Sequence, residues 1–342
     1  MLETVKTLCG IAGVSGCEEE VREEIAARAR PHADELLVDP MGNLLVFKQG
    51  RKQPARPVML CAHMDEVGVI LTGVTEEGYC KFDFVGGVDR RVSLGKRVLI
   101  GSQKVKGVIG VKAHHLVSKE EGKSVPKTEE LYIDIGAASE EDALRRVAPG
   151  DCGVFDTRAE EFGEGFLKAR AIDDRAGCAA LIKLLEGTLP VDTWFAFTVQ
   201  EEVGARGART AAWRLDPSCA VVLEGTTAAD LPGLEQDRLI CRVGGGVVIP
   251  FMDGGTLYDR ELCAMAKRAA EAHGIAWQTK NRIAGGTDAA AVQRSRAGVR
   301  TLALSVAVRN IHSPACVAAR ADLEALPVLA GLVLEEISHG VL

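Results

Sequence analysis

The chain has 342 residues, which is long enough for about two domains that each bury a core. Hydrophobic residues make up 47% and charged residues 26%, which are ordinary values for a globular protein and exclude a disordered or fibrous chain. The net charge of −7, without a long run of basic residues, predicts no nucleic-acid partner.

No apolar stretch approaches the roughly 18 residues needed to cross a bilayer, so we expect no membrane association. The N-terminal segment has no basic region ahead of a long apolar run, and we expect a cytoplasmic protein. The ten cysteines are scattered, and no two have C-x-x-C spacing. We therefore expect reduced cysteines that are mostly buried as small apolar side chains.

The N-terminal segment combines helical and strand patterns. Residues 18–30 predict an amphipathic helix, because apolar side chains recur every four residues among charged ones. Residues 35–50 predict a β-hairpin, with two apolar runs around a Pro-Met-Gly-Asn turn, and residues 56–68 contain a third apolar run. The polar side chains at the end of this third run are His63, Asp65 and Glu66.

Residues 69–163 have a different pattern, in which short β-branched runs recur between turns. A single helix is predicted here, with Ser139 as its N-cap. From residue 164 onward, helical and strand patterns alternate, which is typical of a mostly parallel sheet covered by helices. We therefore predict an α/β fold: residues 1–68 and 164–342 form a mostly parallel-containing sheet flanked by helices. Residues 69–163 form an inserted, β-barrel-like domain.

Acidic residues and histidines follow apolar stretches at strand ends and strand-to-helix turns, where open α/β sheets bind ligands. Carboxylate oxygens and imidazole nitrogens suit hard or borderline divalent cations, and two metals about 3.5–4 Å apart need a bridging carboxylate. Taken singly, Asp-Asp or Glu-Glu pairs more often complement a helix dipole. The segments contain His63, Asp65 and Glu66; Asp173 and Asp174; Glu201 and Glu202; Glu224 and Asp230; and His312.

Two of these segments indicate a division of roles from their spacing. His63 and Asp65 are two residues apart on a strand, so Asp65 can orient an imidazole that binds metal. The adjacent Glu201 and Glu202 point in opposite directions on extended chain, so one can bind a metal while the other reaches the attacking water.

Six ordered motifs resemble those of the tetrahedral-aminopeptidase family of co-catalytic dinuclear metallo-aminopeptidases, which includes glutamyl and deblocking aminopeptidases. These motifs are AHMDEVG, FLKARAIDDRAGC, FTVQEEVGARGA, VLEGTTAADLPG, AGGTDA and RNIHSP. The resemblance spans essentially the whole chain and implies a zinc-peptidase-like fold. It also implies a hydrolase with two divalent metal ions per subunit, with zinc or cobalt expected and manganese also compatible.

The resemblance implies a role for each site residue. Asp173 would bridge both metals, Glu201 would be the general base, and Asp65 would be the partner of His63. The remaining metal ligands would be His63 and Glu224 at one site and Glu202 and His312 at the other. Many family members carry Asp where this chain has Glu224, so this position departs from the family pattern. The Asp173–Asp174 peptide bond is expected to be cis, as in relatives with this bridging aspartate.

The resemblance further implies a twelve-subunit shell built from dimers, in which the inserted domain takes part. Active sites would face an inner chamber that admits short peptides as substrates. Two other functions stay open: a related dinuclear amidase or deacylase acting on N-acylated peptides, and a catalytically silent scaffold. The turn formed by Gly285, Gly286, Thr287 and Asp288 is equally consistent with lining the substrate pocket and with a structural role.

Overall fold

The structure is a computed structural model, and it describes residues 1–235 and 238–340. The helices are α1 (Leu2–Gly10), α2 (Glu19–Ala29), α3 (Arg90–Ser93), α4 (Glu140–Leu144), α5 (Ile172–Leu185), α6 (Arg206–Leu215), α7 (Arg260–Ala272), α8 (Ala289–Gln293) and α9 (Arg320–Gly340). Within these described ranges, no helix combines the length and apolar character needed to cross a membrane.

The strands follow the same chain order. Those of the first half are β1 (Glu35–Val38), β2 (Leu44–Lys48), β3 (Gly50–Lys52), β4 (Val58–His63), β5 (Gly68–Val74), β6 (Cys80–Val85), β7 (Arg97–Ile100), β8 (Val105–Val111), β9 (Leu131–Asp134), β10 (Cys152–Phe155), β11 (Glu160–Phe162) and β12 (Phe166–Ala169). Those of the second half are β13 (Leu189–Val191), β14 (Thr193–Thr198), β15 (Cys219–Thr227), β16 (Val247–Val248), β17 (Trp277–Gln278), β18 (Arg300–Val308) and β19 (Cys316–Ala319).

The central feature is an eight-stranded mixed sheet in the order β1-β2-β14-β4-β15-β18-β16-β17. Its four middle strands, β14, β4, β15 and β18, run parallel, so their carboxyl ends share one edge. Strand β4 is buried at every position, as expected for a parallel strand covered on both faces. Helices α5 and α9 pack against this sheet, as do α6 and α8.

A second unit is a closed antiparallel barrel in the order β10-β5-β6-β9-β8-β7. Its core is mostly aliphatic, with side chains such as Leu71, Ile100 and Ile133, and it also contains Phe82 and Phe155. Ser139 caps α4 by accepting a hydrogen bond from the backbone N–H of Asp142, as the sequence predicts. The region also contains the short helix α3, which sequence analysis did not predict. The α/β fold with a small barrel is otherwise as predicted.

Strand β12 pairs with both β11 and β19 in a separate three-stranded sheet, and β3 pairs in parallel with β13. Residues 160–162 therefore hydrogen-bond to β12, a strand outside the barrel. The hydrophobic pattern of these three- or four-residue strands is too short to indicate a partner.

One expectation about the cysteines is wrong: Cys17 and Cys152 form a disulfide bond, although 135 residues separate them. Spacing along the chain could not indicate this pair, because the bond depends on how the loop after α1 packs. That loop lies against the start of β5 and the barrel strand β10, since Val14 pairs with Glu66 and reaches Gly68. The other eight cysteines are free and buried, as expected.

Candidate active site

The candidate residues gather where the parallel strands of the large sheet end. His63 is the last residue of β4, and Glu224 stands level with it on β15, because Val222 pairs with Cys61. The other candidates follow strand ends or begin a helix: Glu201 and Glu202 after β14, His312 after β18, and Asp173 in the first turn of α5. Sequence analysis could predict this convergence because parallel strands present their carboxyl ends together.

His63 contacts two carboxylates on one side of the cluster. Its Nε2 lies 3.0 Å from Glu224 Oε1 and 3.4 Å from Asp173 Oδ1. All three side chains are buried, and His63 is only 1% exposed. These are the residues that sequence analysis assigns to one metal.

His312 makes the corresponding contacts on the other side. Its Nε2 lies 3.4 Å from Asp173 Oδ2 and 3.2 Å from Glu202 Oε1. The two oxygens of Asp173 therefore face the Nε2 atoms of different histidines, and each Nε2 contacts one further carboxylate. A carboxylate in this position can ligate two ions at once.

Asp65 lies behind His63 and organises the surrounding backbone. Its side-chain oxygens accept hydrogen bonds from the backbone N–H groups of Glu201 and Glu202, at 3.0 and 3.1 Å, and from the Ser15 hydroxyl at 2.6 Å. His63 Nδ1 lies 3.1 Å from the Asp65 carbonyl oxygen and 3.4 Å from its Oδ1. Asp65 thus fixes both an imidazole ring and the segment that carries the two glutamates. Sequence analysis missed Ser15, which no motif marks.

Asp173 is held in place by close backbone packing. The backbone N–H of Gly225 donates to Asp173 Oδ1 at 3.2 Å, and a Cβ at Gly225 would lie 2.7 Å from the same oxygen. The peptide bond between Asp173 and Asp174 is cis, as expected. The Asp174 carboxylate accepts hydrogen bonds from the backbone N–H groups of His63 and Gly177.

The donor set fits a divalent metal. Within the described ranges there are two groups of three residues whose potential ligand atoms all lie within 4.8 Å of one another. One group is His63, Asp173 and Glu202, and the other is His63, Asp174 and Glu224. Glu224 Oε2 is buried and has no hydrogen-bond partner among the described residues. A buried carboxylate oxygen rarely stays unsatisfied, and a bound cation would satisfy it.

The electrostatics of the cluster also favour a cation. Burial raises the pKa values of the Glu201 and Glu224 carboxyl groups well above their ordinary range. Burial lowers the pKa of His312, but hydrogen bonds to Asp173 and Glu202 outweigh this effect and raise it to about 10. The site therefore concentrates carboxylates in a poorly solvated volume, where positive charge is strongly stabilising.

Two other acidic residues in the motifs are committed to structural ion pairs. Asp230 forms a bidentate pair with Arg309, with N–O distances of 2.7 and 2.8 Å. Glu66 forms a buried pair with Arg170 and lies 3.3 Å from Arg175. Their position after strong apolar runs does not distinguish these residues from the candidate ligands, but the family resemblance gives neither of them a role in the site.

The Gly-Gly-Thr-Asp turn serves two purposes. Gly286 and Thr287 line a cavity of ≈ 940 Å³ that opens beside Glu201. Asp288 is instead turned into the core, where it accepts a hydrogen bond from the Thr198 hydroxyl, and burial raises its pKa to about 6. Gly286 and Thr287 therefore form part of a cavity wall, whereas Asp288 has a structural role.

A second cavity of ≈ 730 Å³ lies beside His312, and its lining includes the barrel residues Gly87, Arg91 and Lys96. The rim of the barrel, formed here by Gly87, Arg91 and Lys96, therefore lies next to the site. The candidate ligands themselves come from the α/β part of the chain. The candidate metal cluster is thus open on two sides, one next to the Glu201 side chain and one next to the His312 ring.

Comparisons with known proteins agree with this site. Residues 42–329 match the model of the M42 glutamyl aminopeptidase family. The chain belongs to this family. It is 36% identical to a putative aminopeptidase of Acetivibrio thermocellus, over 94% of this chain and 95% of that protein. Members of the M42 family are aminopeptidases, so this chain is a hydrolase that acts on peptide bonds.

Two solved structures extend the likeness to the whole fold. An aminopeptidase from the archaeon Desulfurococcus kamchatkensis is 32% identical, with a TM-score of 0.93 and coverage of 99% of this chain and 96% of that one. The TET1 peptidase of Pyrococcus horikoshii is 36% identical, with a TM-score of 0.86 and coverage of 98% and 99%. That peptidase is described as assembling into a tetrahedron or a large octahedral shell. The family is metal-dependent, which agrees with the clustered ligands.

Proposed function

We propose that the protein is a dinuclear metal-dependent aminopeptidase that removes N-terminal residues from short peptides inside an oligomeric cage. The observation that carries this proposal is the position of Asp173. Its two carboxylate oxygens each lie 3.4 Å from a different histidine, and each histidine contacts a further carboxylate. This arrangement suits a pair of bridged ions rather than one.

In this proposal Asp173 would be shared by two ions. His63 and Glu224 would help to hold one ion, and Glu202 and His312 would help to hold the other. Two imidazoles and three carboxylates suit zinc or cobalt, and manganese accepts the same donors. When bound, the ions supply Lewis-acid polarisation of the scissile carbonyl and lower the pKa of the attacking water.

Glu201 is proposed as the general base. Its backbone N–H is anchored by Asp65, and its side chain lines the large cavity next to the ligands. Burial raises the pKa of its carboxyl well above the ordinary range, which makes the carboxylate a stronger proton acceptor. The carboxylate takes the proton of the attacking water and delivers it to the leaving amine nitrogen. Such a role is worth about 10²–10⁴ in rate.

Asp65 is proposed as a positioning residue. It holds the ring of His63 on one side and the backbone of Glu201 and Glu202 on the other, so it sets the geometry between base and ligands. The free α-amine of the substrate is expected to bind against a metal and the surrounding carboxylates. This requirement would restrict cleavage to the first residue of a peptide.

The assembly belongs to the same proposal. Residues 1–68 and 164–342 would form the catalytic domain, and residues 69–163 an inserted domain that takes part in assembly. Support comes from the closed barrel and from the shells described for the TET1 peptidase of Pyrococcus horikoshii. We propose a cytoplasmic dodecamer built from dimers, with light scattering expected to show a large particle. A stable, fully active monomer would contradict the cage but not the metal chemistry.

The decisive test of the chemistry compares two adjacent variants. Glu201→Gln should keep the bound metal and lose at least about 10² of kcat, whereas Glu202→Ala should lose metal itself. Elemental analysis and turnover of an aminoacyl anilide are measured on both. A metal-free Glu201→Gln with a fully loaded Glu202→Ala would reverse the two roles.

The substrate class is tested with a panel of free and N-acylated aminoacyl anilides on chelated protein reloaded with each metal. Cleavage of the free anilides alone supports an aminopeptidase. Cleavage of the N-acylated compounds would instead support the amidase or deacylase function. No turnover with full metal loading would support the silent scaffold.

A further inference from the structure

The backbone that carries Glu201 and Glu202 hydrogen-bonds to side chains from three other segments of the chain. The acceptors of its four consecutive N–H groups, from residue 199 to residue 202, lie at 3.0 or 3.1 Å and are, in order, Asn43 Oδ1, Glu18 Oε1, Asp65 Oδ1 and Asp65 Oδ2. Most backbone N–H groups bond to other backbone groups, so four side-chain acceptors in a row specify this segment in unusual detail. Glu18 belongs to none of the motifs that mark the site.

The Glu18 side chain is not used by the helix that it precedes. It makes no capping hydrogen bond to α2. Its Oε1 instead accepts from the backbone N–H of Gly16 at 2.7 Å and from that of Gln200 at 3.1 Å. Glu18 is 3% exposed, and among the described residues no Lys, Arg or His nitrogen lies within 4.0 Å of its carboxylate. A buried carboxylate without a cationic partner depends on its hydrogen bonds for stabilisation, which commits Glu18 to these two N–H groups.

The backbone of Gln200 has an uncommon conformation. Its φ is +57°, in the left-handed region that favours glycine. A residue with a Cβ stays in this region where the surrounding contacts over-determine its conformation, and such residues cluster at active sites. The left-handed turn lies between the end of β14 and the proposed base Glu201. It therefore sets the direction in which Glu201 leaves the strand.

The loop that carries Glu18 is itself fixed to its surroundings. The Ser15 hydroxyl donates to Asp65 at 2.6 Å, and the Ser15 backbone N–H donates to the carbonyl oxygen of Glu66 at 3.3 Å. Cys17, the neighbour of Glu18, is bonded to Cys152 of the barrel. A side chain on a well-supported loop can hold its partner in one geometry.

We propose that Glu18 is a positioning residue for the general base, acting through the backbone N–H of Gln200. The inference rests on the proposed aminopeptidase function, because Glu201 is the base only in that proposal. Without the Glu18 oxygen, the Gln200 N–H loses its acceptor, the left-handed turn relaxes and the Glu201 carboxylate is displaced. The backbone N–H of Glu202 keeps its acceptor on Asp65, so the proposed metal ligands stay in place. Loss of Glu18 should therefore lower the rate without releasing metal.

The kinetic test uses the assembled, metal-loaded protein. Glu18→Ala removes the acceptor, whereas Glu18→Gln keeps an amide oxygen that can accept the same two hydrogen bonds. Ile25→Val is the control for general loss of stability, because Ile25 is a buried residue of α2 about two turns away from Glu18. Turnover of an aminoacyl anilide and metal content are measured on all three.

Glu18→Ala should lower kcat by about 10- to 100-fold, with KM within about two-fold and a wild-type metal content. Glu18→Gln and Ile25→Val should keep kcat within about three-fold of the wild type, since both leave the acceptor in place. Equal losses in Glu18→Ala and Glu18→Gln, or in Glu18→Ala and Ile25→Val, would overturn the inference. If Glu18→Ala does not fold, Glu18→Asp replaces it, and its shorter side chain should lower kcat by about 3- to 10-fold.

A second variant pair tests whether Glu18 acts through the base. In the Glu201→Gln protein, adding Glu18→Ala should lower the residual kcat by less than about two-fold, because the group that Glu18 positions is already absent. The same loss in both backgrounds would assign Glu18 a general structural role and overturn the inference.

Hydrogen–deuterium exchange measured by mass spectrometry gives a readout that does not depend on activity. Peptides that cover residues 199–207 should take up roughly one to three more deuterons at early times in Glu18→Ala, because the Gln200 N–H loses its acceptor and its neighbours loosen. Glu18→Gln should match the wild type, and peptides from the barrel should not change. Unchanged exchange of residues 199–207 in Glu18→Ala would overturn the inference.

The two kinds of measurement separate this inference from the proposed function. An inactive wild type in which Glu18→Ala still speeds exchange of residues 199–207 would refute the aminopeptidase proposal and leave Glu18 as the group that holds this segment. An active wild type whose kcat survives Glu18→Ala unchanged would refute the positioning role and leave the aminopeptidase proposal intact.

Discussion

The large sheet and the barrel differ in how their strands meet. The middle strands of the sheet run parallel, so side chains that are distant in sequence emerge together at one edge. The barrel strands are all antiparallel and close on themselves, which leaves no shared carboxyl edge. In the described ranges, the groups of candidate metal ligands come from the α/β part alone.

The arrangement of the strands, rather than the local content of acidic residues, determines where the candidate metal ligands come together. Both regions carry many acidic residues, but the parallel edge places His63 3.0 Å from Glu224 and His312 3.2 Å from Glu202, whereas no imidazole of the described barrel residues lies within 4.0 Å of a carboxylate. The barrel influences the site in two other ways. Its rim residue Gly87 faces His312, and its strand β10 is tied to the loop after α1 through Cys152.

The largest expected effect comes from a test that compares one glycine of the large sheet, next to the candidate ligands, with one glycine of the barrel. Gly225→Ala places a methyl group 2.7 Å from Asp173 Oδ1, inside contact distance of the proposed bridging carboxylate. We expect loss of bound metal and a fall in kcat of about 10²-fold or more, because displacement of such a group disrupts the proposed bridge between the ions. Elemental analysis and anilide turnover are the measurements.

Gly73→Ala in the barrel is the matched control. Nothing lies within 4 Å of its added methyl group, so activity and metal content should stay at the wild-type level. A fully loaded and active Gly225→Ala protein would show that Asp173 does not need its observed position.

Much of this organisation could be predicted from the sequence. The amphipathic helix predicted over residues 18–30 is α2, and the hairpin predicted over 35–50 forms β1 and β2. The convergence of His63 and Glu224 followed from two apolar runs that end in polar residues. These predictions rest on hydrophobic periodicity, because the spacing of apolar residues indicates which face of a helix or strand is buried.

The sequence could not indicate features that depend on packing between distant segments. Ser15 supports Asp65 across 50 residues, and the backbone N–H of Gly225 supports Asp173 across 52. Neither residue has a chemical type or spacing that marks a site. Cys17 and Cys152 were likewise expected to be thiols, because only the packing of the loop after α1 on the barrel brings them together.

The next test removes the disulfide bond between Cys17, in the loop after α1, and Cys152, in the barrel. The loop closed by the Cys17–Cys152 bond is 135 residues long, so its loss should lower the free energy of unfolding by about 2–5 kcal/mol. The Cys17→Ser, Cys152→Ser double variant is compared with oxidised wild type by denaturant titration. Reductant should shift the wild-type transition toward that of the variant and leave the variant unchanged. Identical wild-type curves with and without reductant would argue against the bond.

The smallest expected effect comes from the barrel rim. A methyl group at Gly87 would lie 3.3 Å from His312 Nδ1, so the imidazole must move by a few tenths of an ångström. A misplacement of about 1 Å can cost roughly 10²-fold in rate, and this smaller one should lower kcat/KM by about 3- to 10-fold. Steady-state kinetics of Gly87→Ala and Gly73→Ala measure the effect, with metal content determined for both. Equal activity in the two variants would show that the rim leaves His312 free, and that the barrel's closeness to the site has no catalytic consequence.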